Sequence, residues 1–173
     1  MSEANETPDV DEIEVPEPNN LLTALRKKYE SLGNVAYLDY DLPGYDGILK
    51  VRFNNTLSWI QITDIIKRAE KNKKNPLATL WAQCDILIQC TDSLWARETP
   101  EGPWGRLDIA GGVPVGWTTD LAAMFGIQGV TTAREVIRKI FRLDLRLAAT
   151  QQALMEWIQK IDENAGEEVA GES

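Results

Sequence analysis

Histidine is absent from all 173 residues of the chain. That removes Ser-His-Asp and Cys-His nucleophilic arrangements and most zinc or iron sites. Serine occurs only at Ser2, Ser31, Ser58, Ser93 and Ser173, and none lies in a G-x-S-x-G or S-x-x-K context. No Walker or G-x-G-x-x-G sequence occurs. Cys84 and Cys90 fall on one predicted helix. At ~1.5 Å of rise and ~100° of rotation per residue they stand about 9 Å apart along its axis and about 120° apart around it. That excludes a disulfide and a metal pair, and leaves two buried thiols. Asp39, Asp41 and Asp46 could suggest paired carboxylates, but Lys50 and Arg52 accompany them and point to a solvated ion-pair face. These residues predict no enzyme, no cofactor and no metal site.

Binding is the chemistry left. Trp59, Trp81 and Trp157 lie on apolar helical stripes, where core packing is the default. Trp104 and Trp117 lie in or beside a Gly/Pro-rich segment, as loop anchors or as binding hot spots. Trp81, Trp104, Trp117 and Trp157 are therefore the candidate partner-binding residues. The run Lys67-Arg68-Ala69-Glu70-Lys71-Asn72-Lys73-Lys74 could meet phosphates, but it also suits a helix C-terminus. Phosphate binding usually needs a wider basic field, so a nucleic-acid partner is disfavoured.

The elements that must position these residues are mainly helical. Asn20 can cap a helix over Leu21–Leu32, stopped by Gly33. Residues 35–53 alternate with period two around Pro43-Gly44-Tyr45-Asp46-Gly47, which predicts a β-hairpin with Pro43, Gly44, Asp46 and Gly47 as its structural turn. Its charged face sets Asp39 and Asp41 against Lys50 and Arg52. Ser58 with Gln61 forms a capping box for a helix to about Lys73. Asn75-Pro76 opens a helix of nearly 20 residues, with Leu77, Leu80, Trp81, Cys84, Leu87, Ile88, Thr91 and Trp95 at spacings of three and four. Residues 96–117 are irregular, with a second hairpin open between Leu94–Arg97 and Trp104–Ile109. Thr119 starts a short helix ended by Gly126, Thr132 and Glu135 cap another to about Leu143, and Asp144 starts a last helix, Leu145–Ile161. The predicted class is α+β, mainly α-helical, with five or six helices.

The net charge of −9 sits at the ends. Residues 1–20 hold seven acids and no base, residues 161–173 five acids and no base, and residues 21–160 hold 15 acids against 18 bases. Neither end has apolar periodicity, so residues 1–20 and 162–173 read as disordered acidic segments flanking one domain, 21–161. An acidic start without an apolar run gives no secretion signal, and no stretch approaches the ~20 apolar residues that span a bilayer. The expected location is the cytosol.

In this order the elements resemble the tail assembly chaperones of long-tailed bacteriophages. The likeness covers roughly residues 35–160. It rests on the acidic Pro-rich start, Leu42-Pro43-Gly44-Tyr45-Asp46-Gly47 leading into Leu49-Lys50-Val51-Arg52-Phe53, and the Trp59 helix with its lysine-rich end. The helix Trp81-Ala82-Gln83-Cys84-Asp85 to Cys90 follows, then Phe141-Arg142-Leu143-Asp144-Leu145 and Met155-Glu156-Trp157 with an acidic tail. The resemblance implies a protein that binds the tape measure protein, keeps its long apolar helix soluble and recruits tail tube protein. It implies residence in the host cytoplasm, absence from the mature virion, and a longer product in many relatives through ribosomal frameshifting. Self-association through apolar helices is compatible with it. The alternatives are a virion structural or head–tail connector adaptor and a nucleic-acid-binding regulator.

Overall fold

The computed structural model describes residues 18–32 and 35–171. The chain divides into two units, Met1–Asn34 and Val35–Ser173. In the first, helix α1 spans Pro18–Leu32. It begins before Asn20, which is therefore inside the helix and not its cap, and Pro18 takes the first helical position, where a missing N–H costs nothing. Leu21, Leu22 and Leu25 are exposed. The acidic residues 1–17 lie outside the described residues.

The second unit is built on a four-stranded antiparallel sheet in the order β1-β2-β3-β4, with β1 Tyr37–Asp41, β2 Leu49–Asn54, β3 Thr91–Ala96 and β4 Gly105–Arg106. Strict alternation in β2 buries Leu49, Val51 and Phe53 and leaves Lys50, Arg52 and Asn54 on the other face. The buried row meets α2 (Trp59–Lys71), α3 (Ala78–Cys90), α4 (Thr119–Met124), α5 (Ala133–Phe141) and α6 (Asp144–Gly171) in one core. Ile62, Cys84, Leu87, Leu121, Ile137, Ile140, Leu147 and Leu154 are fully enclosed there. A two-stranded ribbon, β5 (Asp108–Ile109) with β6 (Val113–Pro114), closes on Gly111 and Gly112, both at positive φ.

Among the described residues the mainly helical α+β class and six helices stand as expected. The hairpin turn falls where the sequence puts it. Gly44 (φ 91°), Asp46 (51°) and Gly47 (76°) take the left-handed region, and Arg97 Nε donates to the Gly47 carbonyl at 2.8 Å. The capping boxes at Ser58/Gln61 and Thr132/Glu135 both form. Helix α3 is shorter than its apolar spacing predicts. It ends at Cys90, and Thr91 to Trp95 form a strand because the free edge of β2 needs a partner for its backbone groups. That strand also makes the second hairpin, limited to Trp95↔Arg106 and Ala96↔Gly105. Asn75 does not cap α3. Its Oδ1 accepts from Leu77 N at 3.0 Å in the turn before the helix. Thr118, not Thr119, precedes α4.

Helix α6 runs on to Gly171, through the segment that its charge marks as disordered. Asp162 is one reason, since its carboxylate accepts from Trp59 N at 2.8 Å and so caps α2 from a distant part of the chain. Ala and Glu, both good helix formers, supply most of the rest.

On the open face of the sheet Asp39 accepts from Arg52 through both oxygens, at 2.7 and 3.0 Å, and from Lys50 Nζ at 2.9 Å. The Arg52 hydrogen bond, opposed by partial burial and assisted by Lys50, holds the Asp39 carboxyl down at about 2 instead of 3.8. A lowered folded-state pKa stabilises the fold above the unfolded value and is lost as pH falls through the folded one. Asp39→Asn should therefore melt below the parent at about pH 7, and the gap should close between pH 3.8 and about 2, as read by circular dichroism.

Candidate functional site

The four tryptophans singled out by the sequence occupy four different settings. Trp117 is a loop anchor, only 3% exposed. Its indole N–H donates to Thr91 Oγ1 at 2.8 Å and its ring lies 5.9 Å from Phe141. It is closed to a partner, and the choice between anchor and hot spot is decided against the latter by its packing. Trp104 lies by the open face of the sheet, with Lys50 Nζ 4.5 Å and the Arg97 guanidinium 4.1 Å from its ring centre. Trp157 is half-buried against the core from α6.

Trp81 differs in what surrounds it. It projects from α3, which packs against α2, α5 and α6. A cleft of ≈ 370 Å³ lies on the α2 side, lined by Ile65, Ala69, Ala78 and Ala82 with Arg68 at its edge. A second, of ≈ 540 Å³, lies on the α5 side against Ile88 and Ala133. Trp81, Asp85 and Arg134 line both. The half-buried indole therefore forms a ridge between two grooves of mixed lining, with Asn72 and Asn75 beside the small side chains of the first and Thr132 and Glu135 beside Ile88 and Ala133 in the second.

The ridge is held from the α5 side. Arg134 donates to Asp85 through Nε at 2.8 Å and Nη2 at 2.6 Å, a two-pronged pair joining α5 to α3. The guanidiniums of Arg134 and Arg138 lie 5.5 and 5.6 Å from the Trp81 ring centre, within cation–π reach. Arg134 and Arg138 are four residues apart on α5 and so share a face. The sequence reading missed both, along with Asp85, because the pairing spans 49 residues. The four-residue spacing of the two arginines was the available signal.

Reactive groups do not gather here. Both cysteines are enclosed, and burial pushes each thiol up to about 11, Cys84 with help from Asp85. Among the described residues no cluster of acids and cysteines could hold a metal ion, and no helix is long and apolar enough to cross a membrane. The Lys67–Lys74 run forms the exposed end of α2 and the turn after it, with Arg68 and Lys71 in the last helical turn. No protein-family model matches the chain, and no curated protein or solved structure matches it either.

The two settings predict opposite consequences for two similar substitutions. Trp117→Ala should cost about 3–5 kcal/mol of stability, as emptying a buried aromatic site does. Trp81→Ala should cost about 1 kcal/mol, because the side chain is only half-buried. Urea unfolding midpoints of the two variants check the difference.

Proposed function

We propose that the chain works by binding a protein helix across the Trp81 ridge, as a tail assembly chaperone for a tape measure protein. The supporting observation is the pair of clefts flanking Trp81. A ridge with a groove on each side suits an amphipathic helix, whose apolar side chains at successive turns enter alternate grooves while Arg68 and Arg134 meet polar groups at the edges. A large indole at the centre of the contact is the residue type that dominates such interfaces. The exposed leucines of α1 offer a further apolar surface, and the −9 net charge opposes aggregation of a protein that shows apolar surface. Tail tube recruitment, host cytoplasmic residence and loss from the mature virion belong to the same proposal.

A nucleic-acid role has less support. The open face of the sheet does combine aromatic rings with bases, but Asp39 engages both Lys50 and Arg52, and Asp108 engages Arg106 at 2.7 Å. Little unpaired positive charge remains there for phosphates.

Co-expression with a tape measure fragment tests the proposal. The fragment should move from the pellet to the soluble fraction with the parent chain and return to the pellet with Trp81→Ala, itself still soluble. Equal insolubility with and without the parent chain overturns it.

A further inference from the structure

A larger cavity than those beside Trp81 lies elsewhere in the second unit. It measures ≈ 950 Å³ and lies between the Gly44–Tyr45 turn and the corner where α5 meets α6. That is the upper part of the size range of small-molecule sites, about 300–1,000 Å³. It is already shaped without a ligand. Tyr45 Oη donates to the Ile140 carbonyl at 2.6 Å and the Tyr45 ring meets Phe125 edge-on at 6.0 Å, which locks the turn to the helices.

Its charge is unbalanced. Arg138, Lys139, Arg142 and Arg146 line it against Glu135 and Asp144. Glu135 is occupied, since its carboxylate accepts from Thr131 N at 2.8 Å and Thr132 N at 3.0 Å to cap α5. Asp144 stands 3.5 Å from Arg138 Nε, close enough for attraction yet leaving that buried Nε without a hydrogen bond. Lys139, Arg142 and Arg146 have no ion pair among the described residues. The Arg146 guanidinium lies over Gly44, in the space that a Cβ there would take.

The backbone holds Arg142 in an unusual way. It has φ 61° and ψ −32°, and Leu143 N donates to the Phe141 carbonyl at 2.7 Å. This is a tight three-residue turn centred on a non-glycine at positive φ, a rare and strained form. Glycine is the residue that such a position favours. Keeping an arginine there, on the wall of a cavity with two other unpaired cations, joins strain to charge as functional sites do.

We propose that this cavity binds a small molecule bearing a phosphate group, with Arg142 and Arg146 as its principal anion ligands and Lys139 assisting. A phosphate offers several strong acceptor oxygens and can satisfy two guanidiniums at once, whereas one carboxylate is matched by one guanidinium fork. Phe125 and Ile127 supply an apolar wall for the rest of the molecule.

Calorimetry on the full chain at fixed ionic strength tests this, with inorganic phosphate, adenosine monophosphate and acetate as probes. Saturable binding of inorganic phosphate, with acetate weaker by about tenfold or more, is expected. Tighter binding of the nucleotide identifies an organic phosphate as the ligand, and equal binding identifies free phosphate. Arg146→Gln and Arg142→Gly should each weaken phosphate binding by about tenfold, the loss of one charge-assisted contact. Arg142→Gly should at the same time raise Tm, because glycine relieves the turn, so its loss of binding is separate from any failure to fold. Lys71→Gln, outside the cavity, should bind as the parent does. The proposal is overturned by no saturable heat with either phosphate probe, by acetate binding as well as phosphate, or by both arginine variants binding like the parent.

Discussion

The burial of Leu49, Val51 and Phe53 beneath the helices is the interaction on which the rest of this structure depends. Each such side chain contributes about 1.5–3 kcal/mol on leaving water. Geometry makes the row more important than its area. Strand β2 is paired on both edges, with β1 in register Asp39↔Arg52 and with β3 in register Val51↔Leu94. A slip of one residue in either ladder would turn Lys50 and Arg52 into the core. The pattern therefore fixes which face of the sheet is dry and which face carries charge.

That choice decides where the proposed partner would bind. Helices occupy the dry face, α3 packs against both α2 and α5, and the one large indole projecting from it lines a groove shared with each. The wet face takes the opposite course. There Lys50 and Arg52 are shared by Asp39 and also lie over the Trp95 ring, at 5.7 and 5.2 Å from its centre. Charge and aromatic surface satisfy each other on that side, which leaves it poorly suited to recognition. The Asp85–Arg134 pair is partly exposed, and its strength as an ion pair is correspondingly modest. Its contribution is orientation, holding α5 beside the ridge so that the second groove stays open.

Much of the fold was legible because local chemistry dictated it. Ser58 with Gln61 and Thr132 with Glu135 are reciprocal caps that need no tertiary help. The Pro43–Gly47 turn and the alternation on either side of it define the hairpin, down to the facing of Asp39 and Arg52. The errors came where long-range pairing outweighed local spacing. Thr91 and Trp95 continue the helical period of α3, yet the edge of β2 draws them into a strand. Asp162 lies in a segment that composition marks as unstructured, yet it caps α2. The site was only half legible. Trp81 could be named from its type and stripe, but Arg134 and Asp85 are brought to it by the packing of α5 on α3. The strain at Arg142 has no sequence signal, since nothing in the residue itself announces a positive φ.

The helical face around Trp81 is the proposed working surface, and the sheet's charged face is not. Hydrogen exchange of the full chain, read by mass spectrometry with and without a soluble tape measure fragment, measures this most directly. Added protection should fall on α2, α3 and the start of α5, with β1 and the outer edge of the sheet unchanged. Protection confined to the sheet, or none anywhere under conditions where the fragment binds, would contradict it.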